Sequence, residues 1–314
     1  MAKNNRKQAL FNKFSNQLRL LKDNGLISFE LKYSKTYICP LCLNQFSETD
    51  LDCSKSENCL TEEDAPPASL GGSRIALTCK KCNSECGHKI DFHLNEFIQE
   101  EEKSEFVPGS IQKGTIFFNG CPITTQRISL GNGEFKLVHS EKQNNPKIFQ
   151  KYIKSFKANK PIKFEPTRNR VNINKVNYAL LKTNYIITFS KFGYIFLLDN
   201  RYDKIREQIL NPDKEIIKYN LVATHNTYLK DHIGTHYVLD MEIRSILNIF
   251  NLETKLTKKA FGVFLPIPAI TIDQFVSEME KRNCINKSKY DPSINLFDNL
   301  NEIKKIREWT NGET

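Results

Sequence analysis

Two short words, CPLC at 39–42 and CKKC at 79–82, constrain this chain more than anything else in it. Cysteines spaced this way on a tight turn aim both sulfurs at one point, and two such knuckles can clamp one zinc ion tetrahedrally at about 2.3 Å per thiolate. A four-thiolate site is closed, with no position left for water, so its role is structural. A redox dithiol is the competing reading of such pairs. The 36 residues between the knuckles, 43–78, exceed a minimal zinc ribbon and leave space for an inserted strand and loop.

The other cysteines add less. Of nine in the chain, Cys53, Cys59 and Cys86 are further ligand candidates without a second convincing spacing, and Cys121 and Cys284 stand alone. Cys-x-x-Cys pairs in a cytosolic chain read as metal-binding or redox-active rather than as disulfides. A cytoplasmic location is the expectation. The basic N-terminus "MAKNNRKQALFNKF" has no apolar core before a small-residue cleavage site, and no apolar run approaches the ~18 residues that span a bilayer.

Charge is unevenly placed. Residues 1–100 hold 13 Lys/Arg and 13 Asp/Glu, so the net charge of +10 lies entirely in 101–314. Within 136–191 there are 13 Lys/Arg against two acids, Glu141 and Glu165. Such an asymmetry suggests a polyanion partner, most often nucleic acid. The stretch "KIFQKYIKSFKANKPIKFEPTRNR" interleaves Lys151, Lys154, Lys157, Lys160, Lys163, Arg168 and Arg170 with Phe149, Tyr152, Phe156 and Phe164. That pattern suits phosphate contacts with base stacking, and it equally suits an amphipathic helix with its aromatics in a core.

Periodicity supplies a coarse outline. Leu10, Phe11, Phe14, Leu18, Leu20 and Leu21 predict a helix over 6–30 that stops near Asn24-Gly25. "ISFELKY" reads as a strand into Cys39, 43–60 as a loop, "RIALTC" as a strand, and "KKCNSECGHKIDFHLNEFIQEEE" as a helix. Pro108-Gly109 reads as a boundary. Strand composition follows, with a hairpin at Gly131-Asn132-Gly133. The run 174–199 predicts a buried helix, 215–223, 235–243 and 260–267 predict strands, and 271–283 a helix. The expected fold is α+β: an N-terminal helical segment (1–30), a zinc-stapled module (31–107) and a basic mixed domain (108–314).

Between the knuckles lies "TEEDAPPASLGGSRIALTCKKCN", 61–83. With the cysteine quartet, this segment resembles the zinc-bearing branch of the HNH endonuclease superfamily, over residues 37 to about 95. The words "PPASLGG" and "LTCKKCN" carry the resemblance. It implies a ββα-metal fold, in which an acidic residue and a helix Asn hold one divalent ion and a His activates water. Carried over by position, Glu63 and Asn83 are the ligands of Mg²⁺ or Mn²⁺, and Asp64 stands where the His belongs. The family's middle Asn has no clear counterpart; Ser73 and Arg74 stand near its place.

A solvated Asp, with a pKa near 3.9 against about 6.5 for His, is a weak base. Three explanations compete. Asp64 is a further metal ligand; or the base comes from the helix segment "GHKIDFHL", with His88, Asp91 and His93; or the site is degenerate and the module only binds. On an ideal α-helix Asp91 and His93 lie roughly 80° to either side of Asn83. The resemblance thus implies a metal-dependent endonuclease acting on DNA or RNA, in restriction or anti-phage defence, with Glu63 and Asn83 around the ion and Asp64 at the base position; the helix segment adds His93 as a further catalytic candidate and Asp91 as a further candidate ligand of the ion. The competing class is a non-catalytic zinc module that binds nucleic acid or a partner protein in a larger complex.

Overall fold

The computed structural model describes residues 2–155, 162–218, 220–223, 229–282 and 284–313. The fold is mixed α+β. Two units make it up: residues 1–94, 173–253 and 258–314 form the larger, and 95–172 with 254–257 the smaller. This partition differs from the expected one. Residues 173–314 fold largely with the N-terminal segment instead of continuing the domain opened at Pro108.

Helix α1 (Ala2–Asp23) buries Phe11, Phe14, Leu18 and Leu21 along one stripe. It ends where the sequence indicates. Gly25 adopts φ +66°, Gly25 N–H donates to the Lys22 carbonyl and Leu26 N–H to the Leu21 carbonyl, at 3.0 and 2.9 Å. This Schellman closure satisfies the last turn's carbonyls, and its left-handed residue favours glycine. The expected strand at 27–33 does not form. Side chains take its polar groups instead: Lys22 Nζ reaches the Phe29 carbonyl and Gln45 Nε2 the Glu30 carbonyl. The strand pair comes later, as β1 (Tyr37–Ile38) against β2 (Gln45–Phe46), enclosing the first knuckle.

Strands β3 (Leu60–Ala65) and β4 (Ser73–Cys79) form an antiparallel hairpin with an irregularity at Glu63/Asp64, where Glu63 pairs with Ala76 and Asp64 with Arg74. The "PPASLGG" turn joins them. Ala65-Pro66 is cis, Leu70 is buried, and Gly71 sits at φ +81°. A side chain at Gly72 would place its Cβ 1.5 Å from the Pro66 carbonyl oxygen, so this turn requires glycine there. One helical run follows: α2 (Lys80–Cys86), a π-turn (Gly87–Asp91) and α3 (Phe92–Ser104).

The smaller unit is built on a four-stranded antiparallel sheet of β5 (Ile111–Phe118), β6 (Cys121–Gly131), β7 (Glu134–His139) and β8 (Phe164–Pro166), ordered β7-β6-β5-β8. The predicted hairpin forms, with Asn132 and Gly133 both at positive φ as a tight two-residue turn demands. Helix α4 (Pro146–Ser155) lays Phe149 and Tyr152 onto Ile116 and Ile123. These two aromatics are therefore core, and the amphipathic-helix alternative holds for them. Phe156, Lys157 and Lys160 lie outside the described residues.

Returning to the larger unit, α5 (Ile173–Phe192) is apolar on most faces and buried along its length, as expected. The rings of Phe14 and Phe189 stack at 4.4 Å, with Tyr37 edge-on to both. Beyond α6 (Asp203–Leu210) come β9 (Val222–Ala223), β10 (Gly234–Val238), β11 (Ser245–Glu253), β12 (Lys258–Pro266), α7 (Ile272–Met279), β13 (Lys287–Lys289) and α8 (Leu300–Asn311). The five strands form an antiparallel sheet ordered β13-β10-β11-β12-β9. Its central strand β11 escaped the sequence reading because it is buried on both faces and shows no alternation. Among the described residues no helix is long and apolar enough to cross a membrane.

Candidate metal centre and buried ion cluster

The two knuckles meet. Sγ atoms of Cys39, Cys42, Cys79 and Cys82 all lie within 4.8 Å of one another, a group that could hold a metal ion. Local backbone geometry explains the convergence. After β1 the chain turns tightly, with the Leu43 N–H on the Cys39 carbonyl and the Cys39 N–H on the Asn44 carbonyl, both 2.9 Å. At the other knuckle, Cys79 ends β4 and caps α2, its sulfur accepting from the Cys82 N–H at 3.5 Å. Cys39 Sγ accepts from the Cys79 N–H at 3.4 Å. Three of the four cysteines are buried. Tyr194 fixes the approach: its hydroxyl accepts from the Ile38 N–H at 2.8 Å and donates to the Ile38 carbonyl at 2.7 Å, one residue before Cys39.

The remaining cysteines do not join this centre. Cys53 and Cys59 form a disulfide with Cα atoms 5.0 Å apart, which the cytosolic reading did not anticipate. The loop it closes caps α2: the Cys59 carbonyl accepts from the Lys80 N–H at 2.7 Å, and Asn58 Oδ1 accepts from the Lys81 N–H at 3.0 Å. Cys86 is a buried thiol, pushed up to about 12 by that burial.

Asp64 and the polar residues around it separate into two groups. Glu63, 2% exposed, faces inward. Its Oε1 lies 2.7 Å from Lys182 Nζ, and its Oε2 accepts from the Thr78 hydroxyl at 2.6 Å. Lys182, on α5, also meets Asp91 Oδ2 at 2.6 Å. Glu63, Asp91 and Lys182 thus form one buried cluster linking β3, the π-turn and α5. Burial opposes the charge on Lys182, but Glu63 and Asp91 outweigh it and hold the amine charged well above its ordinary range. Burial pushes the Asp91 carboxyl up, with Lys182 opposing. A carboxyl raised in this way stabilises the fold most at low pH, and that contribution falls as pH climbs from the ordinary carboxylate value to the raised one.

Asp64 stands apart, partly exposed, with Arg74 Nε 3.9 Å from its Oδ1. Burial raises its carboxyl, with Arg74 opposing and Glu63 adding to the rise. Arg74 also pairs with the mostly buried Glu62 at 3.1 Å, and Glu62 Oε1 is buried without a hydrogen-bond partner. The Asn83 amide donates to Thr61 Oγ1 and to the Glu62 carbonyl, both at 3.0 Å, tying α2 to β3. His88 is exposed and His93 half-buried, its ring edge-on to Phe92. The π-turn explains why Asp91 departs from its ideal-helix placement: five residues in a wider turn shift everything after Gly87 in register. On the smaller unit Lys151 and Lys154 are exposed on α4. Arg168 and Arg170 are exposed beyond β8, and Lys163 pairs with Glu165 at 2.8 Å.

Lys182 is the residue that sequence reasoning missed. Its signal is present: one lysine inside "NYALLKTNYIITF", on a helix read as buried. An ammonium is almost never fully buried without a charged partner, so that lysine required carboxylates from elsewhere in the fold. Comparison of the chain with known protein families, with characterised proteins and with solved structures finds no match.

Removing one member of a buried ion group leaves an uncompensated charge at a cost of about 3–5 kcal/mol. Lys182→Met should therefore lower unfolding free energy by that order in denaturant titrations. The neutral triple variant Lys182→Met/Glu63→Gln/Asp91→Asn should recover much of the loss. A Lys182→Met protein as stable as wild type would contradict this account of the cluster.

Proposed function

We propose that this chain is a nucleic-acid-binding protein whose N-terminal segment is an HNH-like, zinc-stapled module used for binding rather than hydrolysis. One observation carries the reading: the Lys182 ammonium lies between Glu63, which the resemblance assigns to a catalytic divalent ion, and Asp91, a further candidate ligand from the helix. A divalent ion there would have to displace a buried, charged lysine. The second Glu63 oxygen is also engaged, by Thr78. With Asp64 in place of the activating histidine, both elements of water activation are altered. The uneven +10 charge supports a polyanion partner.

The four-cysteine centre fits zinc on its own chemistry. The donor set is all sulfur, mostly buried, and receives backbone N–H groups as thiolates do. Soft thiolate ligands in a closed tetrahedral set favour zinc over hard cations. Bound there, the ion would link β1, β4 and α2 and contribute folding free energy directly.

A second reading, metal-dependent endonuclease, keeps one observation in its favour. Asp64 is the accessible carboxylate of the strand, its pKa is raised, and the unpartnered Glu62 Oε1 lies two residues away in sequence. A carboxylate with a raised pKa is a better general base than a solvated one.

Two outcomes follow. Elemental analysis of freshly purified protein should give one zinc per chain, and Cys79→Ser should lose both the metal and the fold of this segment; zinc-free wild type would refute the assignment. Wild-type protein should bind DNA with an affinity that falls steeply with salt, by about −0.9 log units per log unit of salt for each phosphate neutralised, yet leave plasmid uncut in Mg²⁺ or Mn²⁺. Cutting that disappears in Asp64→Ala would establish the endonuclease reading instead.

A further inference from the structure

We propose that Arg127 and the three phenylalanines around it form a clamp for single-stranded nucleic acid on the smaller unit; the idea rests on the nucleic-acid-binding reading above. Arg127 lies on β6, on the same sheet face as Ile123, four residues along the strand and beyond the core that α4 covers. Its guanidinium lies over three rings, with carbon-to-centroid distances of 4.8 Å to Phe106, 5.1 Å to Phe164 and 5.9 Å to Phe135. Among the described residues it makes no hydrogen bond or ion pair. Guanidinium N–H groups form a rigid fork suited to phosphate oxygens and base edges. Here ring faces hold the fork, and its donors remain unspent.

Phe106 is positioned by the end of α3: it takes the left-handed place, φ +52°, of a Schellman closure, its N–H on the Lys103 carbonyl at 3.3 Å and the Val107 N–H on the Glu102 carbonyl at 3.0 Å. The Ser129 hydroxyl ties this turn to β6 by donating to the Phe106 carbonyl at 2.6 Å. The Phe164 ring lies over Gly114, where any Cβ would come within 2.4 Å of Cζ; a side chain at 114 would displace this wall. Phe106 and Phe135 nonetheless leave 46% and 51% of their surface exposed. A cage that served packing alone would bury those rings.

Charge identifies the occupant. Residues 134–172, which contribute Phe135 and Phe164, carry ten Lys/Arg against Glu134, Glu141 and Glu165, so this sequence is basic and suits a polyanion. Exposed ring faces beside a guanidinium fit unpaired bases, whose faces a duplex conceals. In this arrangement the Arg127 fork takes a phosphate or a base edge, while a base stacks on Phe135 or Phe106.

The test is fluorescence anisotropy of full-length protein with labelled oligothymidylate, with a duplex of the same length for comparison. Arg127→Ala and Phe135→Ala should each weaken binding to the single strand on the order of tenfold. Arg127→Ala should also reduce the salt slope by about one. Arg127→Lys, which keeps the charge but not the fork, should restore the salt slope more than the affinity. Phe135 is half exposed, so its variant should melt like wild type and serve as the control against a folding effect. Wild-type binding that both alanine variants retain would overturn the clamp and leave the nucleic-acid reading standing. Wild type that binds neither single strand nor duplex would overturn both.

Discussion

An ammonium buried among carboxylates has no neutral stance. Lys182 must be matched by nearby negative charge or its desolvation is unpaid, and Glu63 and Asp91 supply that charge at 2.7 and 2.6 Å. Because the three groups come from β3, the π-turn and α5, satisfying one lysine fixes three elements that are far apart in sequence. The hairpin cannot shift register without withdrawing Glu63, and the π-turn cannot revert to α geometry without rotating Asp91. The cysteine centre acts on the same hairpin from its other end, where β4 runs into α2 through Cys79. Between the two, Asn83 pins α2 to β3 through Thr61 and the Glu62 carbonyl.

This arrangement changes how Asp64 reads. In the sequence, Asp64 beside Glu63 invites the view of two carboxylates sharing one metal ion. In the fold, Glu63 points away from solvent into the ion cluster while Asp64 pairs with Arg74 at the surface. Adjacent residues on a strand face opposite sides, and the irregularity between Glu63 and Asp64 does not bring the two carboxylates onto one centre. In the fold an internal cation, Lys182, lies against Glu63 and Asp91.

Much of this was legible in the sequence where a local rule applied. The knuckles, the Gly25 stop, the Gly131–Gly133 hairpin and the buried run at 174–199 each follow from spacing or turn chemistry within a few residues. What escaped reading depends on partners distant in sequence. The segment 27–33 has strand composition but lacks a neighbouring strand. β11 carries no alternation because both its faces are covered. Asp91 was displaced from its ideal-helix angle by a π-turn that nothing in "GHKID" announces. Phe149 and Tyr152 fitted either a stacking platform or a core until Ile116 and Ile123 appeared beneath them. Lys182 announced a need for partners without naming them.

Lys182 Nζ lies 2.7 Å from Glu63 Oε1 and 2.6 Å from Asp91 Oδ2, where a divalent ion shared by those carboxylates would have to sit. Titrating Mn²⁺ into purified wild-type protein, with free Mn²⁺ followed by electron paramagnetic resonance, tests this directly. Wild-type protein should show no stoichiometric uptake, and uptake at one site per chain should appear only once Lys182 is replaced by alanine. Tight one-to-one Mn²⁺ binding by the wild type that is lost in Glu63→Gln would contradict it.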